Sequence, residues 1–519
     1  MTTKAELVAW LKSTNTTRVV LVEIQNVIVY DHPPIPGGTT PANGSTKTFY
    51  LSNKPYASTT RLYDACISGG VSFTESISLT GSPTIGYGDI EVFNAIDSDR
   101  KGERDWWLRC IWDAKLVNIL IGDVAWAYAD FYNIFTGTVR GIDSKGRTSL
   151  NLILTDRMQE LNVAVSDTVL GGTTTAKDKL VPLTFGECFN ITPLLADPTV
   201  PSYKVHTGRI ERIIEVRDNG APVSFSGNIS TANLNAGTFA LTYPPYGTIT
   251  CSVQGSAPGG VYRQYVGEII RHILTSYGRQ LSDANYIDNA SFTAFDATNS
   301  SKAQAGIYLE GRENVLDVCN RLANSVGAYV TLGLDGKFRL TQLKADITGI
   351  TPDFVVTQTD METNSFVVRE KVPVQGSVKL SYCKNWTVQP SGLAAGLVAP
   401  NVSVLGYENY YVSNFDQTTL TQYGQTKEPP AKETLLITET SGVTTITDAT
   451  KECDRLVALY KTPRFIYSAT YFSHMLVAEI GQTIQITHPR YGLGSGKIGT
   501  IVEINRDWLK GRVTLGVFI

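Results

Sequence analysis

Apolar and polar residues alternate along the C-terminal end of the chain. In residues 478–519 (AEIGQTIQITHPRYGLGSGKIGTIVEINRDWLKGRVTLGVFI), isoleucine, valine and leucine recur at every second position, and the pattern breaks at residues 492–499 and at Lys510-Gly511. A period of two between glycine-rich turns is typical of antiparallel strands that are buried on one face. The sequence therefore predicts a C-terminal β-meander.

The N-terminal part of the chain contains a similar pattern. Residues 137–152 (GTVRGIDSKGRTSLNL) and residues 499–517 (GTIVEINRDWLKGRVTLGV) both begin with Gly-Thr and turn at Lys-Gly-Arg. Each copy is preceded by Ile-Gly, in IGD at 121–123 and in IGQ at 480–482. Two unrelated hairpins could share these features. We interpret them instead as a duplication, with two related β-barrels at opposite ends of one chain.

The duplication makes a specific structural prediction. An alternation of period two fixes which face of a strand is buried, and a slip of one residue would invert it. Matched starts and matched turns therefore predict the same strand order in both copies, with the Lys-Gly-Arg turns at corresponding corners. We expect a longer turn in the second copy, where Asp507, Trp508 and Leu509 extend it.

The remaining segments predict a mainly β fold with minor α content. Two helices are indicated by apolar residues at three- and four-residue steps, closed by Gly278 and Gly327. We expect four domains, namely an N-terminal β-barrel at 1–165, a small inserted β-domain at 166–260, an α+β domain with two helices and a hairpin at 261–362, and a C-terminal β-barrel at 363–519 that includes a helix at 448–461.

Composition and charge narrow the functional classes. A chain of 519 residues accommodates three or four domains of ordinary globular composition. Its net charge of −3 gives the whole molecule no electrostatic footprint for holding nucleic acid. No signal peptide and no run of 18 apolar residues is evident, so we expect a soluble chain that is made in a cytoplasm.

Cysteine and histidine residues are scattered rather than clustered. The seven cysteines lack any CxxC spacing, which predicts buried free thiols and neither a zinc site nor a disulfide framework: Cys66, Cys110, Cys188, Cys251, Cys319, Cys383 and Cys453. No two of the five histidines have metal-ligand spacing: His32, His206, His272, His474 and His488. His488 lies beside a glycine-rich turn and is expected in an exposed loop.

Two strings resemble known ligand-binding loops but lack their context. Residues 494–499 (GSGKIG) satisfy GxGxxG, yet a strand is predicted to follow where the nucleotide fingerprint needs a helix. Tyr491 and Ile498 also replace the Gly and the Ser/Thr of a P-loop. Residues 97–105 begin like a calcium loop, but Lys101 and Leu108 stand at ligand positions. We therefore predict no catalytic residue, cofactor or metal site, and no enzyme; the sequence assigns no interaction residue.

Four segments, in this order, carry a resemblance to a known family: GDIEVFN…GERDWWLRCIWDAKLVNILIGD, VPLTFGECFNITPLL, ENVLDVCNRLANSVGAYVTLGLDGKFRL and ITHPRYGLGSGK…DWLKGRVTL. They resemble the tail proteins of long-tailed bacteriophages that form the central baseplate hub. The resemblance covers residues 18–519 through many weak motifs. It implies two barrels of the tube type with inserted domains, and a homotrimer. A helix predicted at residues 2–12 departs from the family, which opens on the first strand.

The resemblance also implies a structural role in the virion tail. Three chains with two similar barrels each would form a ring of six quasi-equivalent units, which adapts a sixfold tube to a threefold tip. Such a ring passes viral DNA during genome ejection without binding it, because adhesion to phosphates needs clustered Lys and Arg. The implied partners are distal tail or tube ring proteins, tail-tip, spike or fibre proteins, and the tape measure protein. Assembly is expected in the cytoplasm of the bacterial host.

Two other functions remain open from the sequence. A receptor-binding adhesin would use residues 166–260 to bind host glycans, with Tyr243 and Tyr246 stacking on sugar rings. A peptidoglycan hydrolase fused to a hub would need a catalytic constellation that the motifs do not supply. The duplicated hairpin favours the hub, because an adhesin has no need of it.

Overall fold

The computed structural model describes residues 4–13, 16–35, 37–79, 86–298, 303–347, 349–397, 401–437 and 447–519. In this part of the chain the fold is mainly β with a smaller share of helix, which confirms the fold class expected from the sequence. None of the described helices is long and apolar enough to span a membrane.

The N-terminal segment begins with a short helix whose Leu7 and Leu11 are fully buried. The bounds are α1 (Lys4–Lys12), β1 (Arg18–Ile28), β2 (Thr46–Ser52), β3 (Tyr56–Ala57), β4 (Leu62–Tyr63), β5 (Ile67–Ser76), β6 (Tyr87–Phe93), β7 (Leu116–Asp123), β8 (Tyr132–Gly146) and β9 (Ser149–Asp156). Turns of 3-10 helix lie at Asp105–Arg109, Tyr128–Asp130 and Arg157–Leu161.

The middle of the chain alternates strands with helices. The bounds are β10 (Leu183–Ile191), β11 (Leu194–Asp197), β12 (Ser202–Lys204), β13 (Ile210–Asp218), β14 (Ala221–Pro222), β15 (Ile229–Asn233), β16 (Thr238–Leu241), β17 (Ile249–Ser256), α2 (Val266–Ser276), α3 (Asp283–Tyr286), α4 (Asn289–Thr298), β18 (Gly306–Leu309), α5 (Val315–Asn324), β19 (Ala328–Leu332) and β20 (Phe338–Gln342). A 3-10 turn lies at Pro258–Gly260.

The C-terminal segment returns to strands. The bounds are β21 (Phe354–Thr357), β22 (Val367–Val372), β23 (Ser377–Tyr382), α6 (Asn401–Gly406), β24 (Tyr410–Phe415), α7 (Gln417–Tyr423), α8 (Thr447–Tyr460), β25 (Arg464–Phe472), β26 (Thr483–Thr487), β27 (Lys497–Asp507) and β28 (Arg512–Phe518). Turns of 3-10 helix lie at Gln358–Asp360 and Ser473–Val477.

Strands from both ends of the chain share one 13-stranded sheet. Its order is β2-β1-β7-β8-β9-β6-β5-β27-β28-β25-β22, and β26 lies between β27 and β21. We call β1, β2 and β5–β9 the N-half, and β21, β22 and β25–β28 the C-half. The alternating apolar side chains of both halves pack into one continuous hydrophobic core. Burial of this shared apolar surface is the main driving force that keeps the two ends of the chain together.

The two halves have the same strand order. In the N-half the strands pair as β5-β6-β9-β8-β7, and in the C-half as β22-β25-β28-β27-β26, always antiparallel. The predicted equivalence of the two hairpins is therefore confirmed. The halves differ at the next strand, because β1 runs antiparallel to β7 whereas β21 runs parallel to β26.

The register of the two hairpins also agrees. The N-half ladder pairs Thr138 with Thr155 and Val139 with Leu154, shifts by a bulge, and continues with Gly141–Ile153, Ile142–Leu152 and Asp143–Asn151. The C-half ladder pairs Thr500 with Phe518 and Ile501 with Val517, shifts at the same place, and continues with Glu503–Gly516, Ile504–Leu515 and Asn505–Thr514. The Lys-Gly-Arg turns follow at corresponding corners. The first turn lies between the pair Gly146–Ser149 and comprises residues 147–148, and the second lies between the pair Asp507–Arg512 and comprises residues 508–511, which is longer as expected.

The Ile-Gly pairs are not equivalent, and this part of the sequence interpretation is wrong. Residues 121–123 end β7, whereas residues 480–482 precede β26. The structural counterpart of Gly481 is Ala114, since Ala114 N donates to Val139 O at 2.8 Å and Gly481 N donates to Ile501 O at 2.8 Å. Both residues have positive φ, 58° at Ala114 and 85° at Gly481. The two Ile-Gly motifs lie at non-equivalent positions, because Ala114 and Gly481 share a backbone conformation but not a residue type.

Isolated bridges bring the ends of each half close together. Leu51 of β2 forms a parallel bridge with Asp64, just before β5, and Met361 forms an antiparallel bridge with Tyr471 of β25. Among the described residues, neither half closes into a ring through paired strands. Each half is therefore a strongly curved sheet with its two ends in contact.

The segments between β9 and β21 in the sequence form smaller sheets. One contains five strands in the order β14-β13-β17-β10-β18, and another contains four in the order β11-β12-β16-β15. Helices α2 and α5 bury their apolar stripes in a core that also includes Phe185 of β10 and Phe338 of β20. The inserted segments are thus packed against each other through their own hydrophobic clusters.

Candidate assembly interface

The two halves of the sheet join where β5 pairs with β27. Residues Ser72–Ser76 run antiparallel to Glu503–Asp507, with Thr74 opposite Asn505 and Phe73 opposite Arg506. Ile77 N extends the ladder by donating to Val502 O at 3.0 Å. We call this contact the internal seam. It joins one edge of the N-half to the C-half.

Arg506 is the buried cation of the internal seam, with 1% of its side chain exposed. Its Nε donates to Leu476 O at 3.0 Å and its Nη2 donates to Ala478 O at 2.5 Å. The remaining terminal nitrogen, Nη1, donates to Glu75 Oε1 at 2.8 Å. A buried charge is tolerated only when it is paired and hydrogen-bonded, and here acceptors from both halves meet that requirement.

Asp156 lies beside the same ion pair at the end of β9. Its carboxylate oxygens accept hydrogen bonds from Gly86 N at 2.7 Å and from Met158 N at 2.9 Å. Burial, followed by the negative charge of Glu75, raises the pKa of Asp156 to about 8. Asp156 therefore keeps its proton to higher pH than an ordinary aspartate does.

Glu479 ties three segments together next to the C-half. Its carboxylate contacts Arg339 Nη1 at 2.8 Å and Lys4 Nζ at 2.7 Å, and it accepts from Leu334 N at 2.9 Å. Burial alone would raise its pKa, but the charges of Arg339 and Lys4 outweigh burial and lower the pKa to about 2. The carboxylate stays ionised and links α1 and the β19–β20 hairpin to the C-half.

Helix α1 therefore has a structural place that the sequence left undefined. Besides Lys4, its Leu11 carbonyl accepts from Ser473 Oγ at 2.8 Å and from Arg18 Nη2 at 3.0 Å. Ser473 belongs to the C-half, and Arg18 begins β1 of the N-half. The helix thus lies across both halves.

The strands that correspond to those of the internal seam each have an exposed edge in the same sheet. Strand β22 corresponds to β5. In the described part of the chain it pairs with β25 on one side and with no strand on the other. Its residues are exposed from Val367 to Lys371, and Val372 is buried. An open edge of this kind presents unpaired backbone donors and acceptors.

Strand β8 corresponds to β27 and extends past its neighbour in the same way. The ladder of β7 with β8 ends at Thr138, and Ala114 and Lys115 cover Val139, which leaves the residues after Val139 with one uncovered edge. Residues 143–146 are exposed. In the C-half, β26 similarly pairs with β27 only as far as Thr500, and β5 occupies the stretch beyond it. The described part of the chain thus contains one such seam between its halves, and β22 and β8 each have an exposed edge that corresponds to one of its strands.

The face of the sheet opposite the core is largely polar in its middle strands. It carries short or acidic side chains: Ser72, Thr74, Asp89, Glu91, Ser468, Thr470, Glu503, Asn505 and Thr514. Three basic residues along the sheet form ion pairs, Lys145 with Asp89, Arg369 with Glu503 and Arg512 with Glu362. Such a face offers little attraction to phosphate groups.

Two histidines that are far apart in sequence lie in one cleft of about 560 Å³. Thr184 N donates to His206 Nδ1 at 3.1 Å, and the His206 Nε2 lies 3.1 Å from the Tyr277 hydroxyl. His272 Nε2 lies 3.0 Å from Ser256 Oγ. Burial is the main cause that lowers the pKa of His206 to about 3 and of His272 to about 4. Both rings are neutral hydrogen-bonding groups, and no sequence pattern signalled that they would meet.

The remaining residues considered in the sequence analysis, His488, the cysteines and Asp97, have roles in packing or in turns. His488 lies in the expected loop after β26 but is buried, because its ring packs on Phe366 at a centroid distance of 4.4 Å, so the expected exposure was wrong. Six of the seven free cysteines are buried and Cys383 is half-buried. Asp97 caps its own turn by accepting from Asp99 N and Lys101 N, each at 2.9 Å. Within the described ranges no group of three or more potential ligands could hold a metal ion.

The glycine-rich string is a turn that leads into a strand. Gly492 and Gly496 have positive φ, and β27 begins at Lys497 directly after them. The expected strand is therefore present where a nucleotide-binding loop would need a helix.

The two tyrosines of the alternative glycan site lie together on the small sheets. The rings of Tyr243 and Tyr246 are 5.7 Å apart, and Tyr246 is 87% exposed. Asp218 fixes the loop by accepting from Tyr246 N and Gly247 N, each at 2.8 Å.

Comparisons with known proteins gave matches among solved structures. No family model and no curated protein matches the chain. The tail protein from Neisseria meningitidis MC58 is 9% identical over 96% of this chain and 96% of its own, with a TM-score of 0.38. The 43 kDa tail protein of prophage MuSo2 from Shewanella oneidensis is 13% identical over 89% of this chain and 96% of its own, with a TM-score of 0.39.

A third match is the E. coli c3393 protein, described as a component of the type VI secretion system with structural similarity to the T4 bacteriophage tail proteins gp27 and gp5. It is 9% identical over 86% of this chain and 73% of its own, with a TM-score of 0.32. Identities and TM-scores are low in all three matches, so the strand pairing of this chain is the firmer basis for a function.

Proposed function

We propose that the chain is a structural hub of a bacteriophage-type tail, in which three copies form a ring that continues the tail tube. The proposal rests on the duplication: the N-half and the C-half have the same strand order and the same register. The hub motifs identified in the sequence supply the biological setting. They cover both halves and the segments inserted between them.

A duplicated chain is suited to join parts of different symmetry. Each copy contributes two similar units, so three copies present six units to a sixfold tube and three inserted regions to a threefold tip. A heterologous contact that repeats around an axis closes into a ring when its rotation fits. The internal seam is one contact of this type, already formed within the chain.

The polar face of the sheet is suited to line the channel of such a ring. Its short hydroxyl and amide side chains and its acidic groups oppose adhesion of phosphates, and three of its basic groups are held in ion pairs. DNA would pass along this face during ejection without being bound. This role requires no catalytic group, cofactor or metal ion.

The proposed partners are those of a ring at the end of a tube. A distal tail or tube ring protein would contact one side, and tail-tip, spike or fibre proteins and the tape measure protein the other. The proposed location is the virion tail, after assembly in the cytoplasm of the bacterial host.

Electron microscopy combined with light scattering tests the proposal. The purified chain at micromolar concentration, or the intact particle, should show a ring of three copies with six similar units in projection. Light scattering should give a mass of three chains. A stable monomer in solution together with the absence of a ring in particles would contradict it. Zymography on peptidoglycan should show no lytic band, and a clear band would support the fused hydrolase instead.

The adhesin is the second candidate, favoured by the exposed Tyr246 beside Tyr243. Exposed aromatic pairs can stack on apolar sugar faces. Glycan-array binding that disappears in Tyr246→Ala, in a chain that forms no ring, would select the adhesin over the hub.

A further inference from the structure

The internal seam provides a template for a contact between two copies. Its two strands, β5 and β27, each have an equivalent in the other half, β22 and β8. In the described part of the chain, the corresponding edges of β22 and β8 pair with no strand. Sheet edges of soluble proteins are usually protected. Because β5 and β27 pair with each other, the corresponding strands β22 and β8 are expected to pair in the same way.

The equivalence fixes which residues would face each other. Thr74 pairs with Tyr87 in the N-half, and Glu370 pairs with Ile466 at the same position of the C-half, so Glu370 corresponds to Thr74. Asn505 pairs with Thr514 as Asp143 pairs with Asn151, so Asp143 corresponds to Asn505. In the internal seam Thr74 lies opposite Asn505. The same relation places Glu370 opposite Asp143.

We propose that β22 of one copy pairs antiparallel with β8 of a second copy, with Glu370 opposite Asp143, Lys371 opposite Ile142 and Val372 opposite Gly141. The inference rests on the proposed function for the number of copies, and on the internal seam for the register. The occupant of each exposed edge is thus a second copy of this chain. Repetition of the contact continues the 13-stranded sheet from copy to copy around the ring.

The contact between copies differs from the internal seam in one hydrogen bond. Ile77 N donates to Val502 O where the internal ladder continues past Ser76. The residue after Val372 is Pro373, which has no backbone N–H to donate. The ladder between copies therefore ends one bond earlier. This makes it the weaker of the two seams, as expected of a contact that forms on assembly.

The two strands are not neighbours within one copy. Seven strand-to-strand steps separate β8 from β22 in the sheet order. At about 4.8 Å a step, the path along the sheet is roughly 34 Å. A disulfide between copies also raises the mass on a non-reducing gel, which distinguishes it from a disulfide that closes within one copy.

Paired cysteines test the register. Directly opposite residues of an antiparallel pair have Cα atoms about 4.5 or 5.5 Å apart, within the range of a disulfide. The first variant is Glu370→Cys with Asp143→Cys, and the second is Lys371→Cys with Ile142→Cys. The offset control is Lys371→Cys with Ser144→Cys. Thr74→Cys with Asn505→Cys provides the internal control, because that pair is opposite in the folded chain and should close within one copy.

After mild oxidation of the full chain, the two in-register variants should give a ladder of species on a non-reducing gel that ends at three chains. The offset variant should give at least several-fold less. Equal cross-linking by the offset variant would overturn the register. A ring by electron microscopy without cross-links in either in-register variant would overturn the inference and leave the proposed function standing. A monomer that forms no cross-link would overturn both.

Discussion

At the scale of single residues, buried charges define the contacts between the halves. Arg506 joins them through Glu75 and two carbonyl groups, and Glu479 joins α1 and the β19–β20 hairpin to the C-half. Because such groups cost several kcal/mol to bury, each depends on its partners. Their sequence neighbourhoods are ordinary strand and turn patterns, so sequence analysis had no means to single them out. The same holds for His206 and His272, which only the tertiary fold brings together.

Replacing Arg506 by methionine should destabilise the chain strongly. The substitution leaves Glu75 without its ion pair and the carbonyl groups of Leu476 and Ala478 without their donor. Loss of one partner of a buried ion pair costs about 3–5 kcal/mol. Chemical denaturation should show this loss. Lys510→Met is the matched control, since its side chain is 80% exposed and its pair with Asp507 should contribute at most about 1 kcal/mol. Equal effects of the two substitutions would refute the assigned role of Arg506.

Asp156 should make the stability of the chain fall between acidic and mildly alkaline pH. Its folded-state pKa of about 8 lies above the ordinary value of 3.8, so the folded chain binds this proton more tightly than the unfolded chain. The contribution is fully present below pH 3.8 and is lost as the pH rises through about 8.

Asp156→Asn removes the titrating group and should flatten that part of the profile of unfolding free energy against pH. Asp99→Asn, at an exposed position outside the proposed contacts, should leave the profile unchanged. An unaltered slope in Asp156→Asn would show that another group is responsible.

At the scale of secondary structure, the alternation of apolar residues predicted the hairpins and their turns. Their equivalence followed because register is a property of pattern and turn geometry, both of which can be read from a sequence. The equivalence of the Ile-Gly motifs was wrong because it rested on residue types, whereas the two halves share a backbone conformation at the equivalent position. Ala114 and Gly481 share a positive φ and the same hydrogen bond, although their residue types differ.

Of the substitutions at this equivalent pair, only the one at Gly481 should destabilise the chain. Gly481→Ala places a Cβ atom 2.0 Å from Thr341 Cγ2 and puts a side chain at φ +85°, so it should destabilise the chain by about 1–3 kcal/mol. Ala114→Gly relieves a side chain at φ 58° but adds freedom to the unfolded chain, so it should be neutral or stabilising by up to about 1 kcal/mol. Thermal unfolding of both variants measures the difference. A loss of stability in Ala114→Gly as large as that in Gly481→Ala would contradict the equivalence.

At the scale of the whole molecule, the two ends of the chain form one sheet rather than two separate bodies. The sequence predicted two barrels but contained no sign of the internal seam, whose facing residues include Ser72, Thr74 and Asn505. The strands that carry these residues do show apolar alternation, but alternation indicates which face of a strand is buried and not which distant strand pairs with it. The exposed edges of β8 and β22 could not be predicted for the same reason. The mainly β character and the duplication were accessible from sequence; the pairing of distant strands required the structure.

A charge reversal at the proposed contact between copies should strengthen the assembly. In the proposed register Glu370 lies opposite Asp143, and like charges directly opposite each other destabilise a strand pair. Glu370→Lys converts this into an attractive pair, which should gain about 0.5–1 kcal/mol at each contact between copies. Analytical ultracentrifugation should show dissociation of the ring at lower protein concentration than in the unmodified chain.

The double variant Glu370→Lys with Asp143→Lys restores like charges and should cancel the gain, while Asp143→Lys alone should strengthen the ring as Glu370→Lys does. This double-mutant cycle isolates the interaction between the two positions from their separate effects. A cycle in which the two single effects simply add would place Glu370 and Asp143 apart, and the register between copies would have to be abandoned.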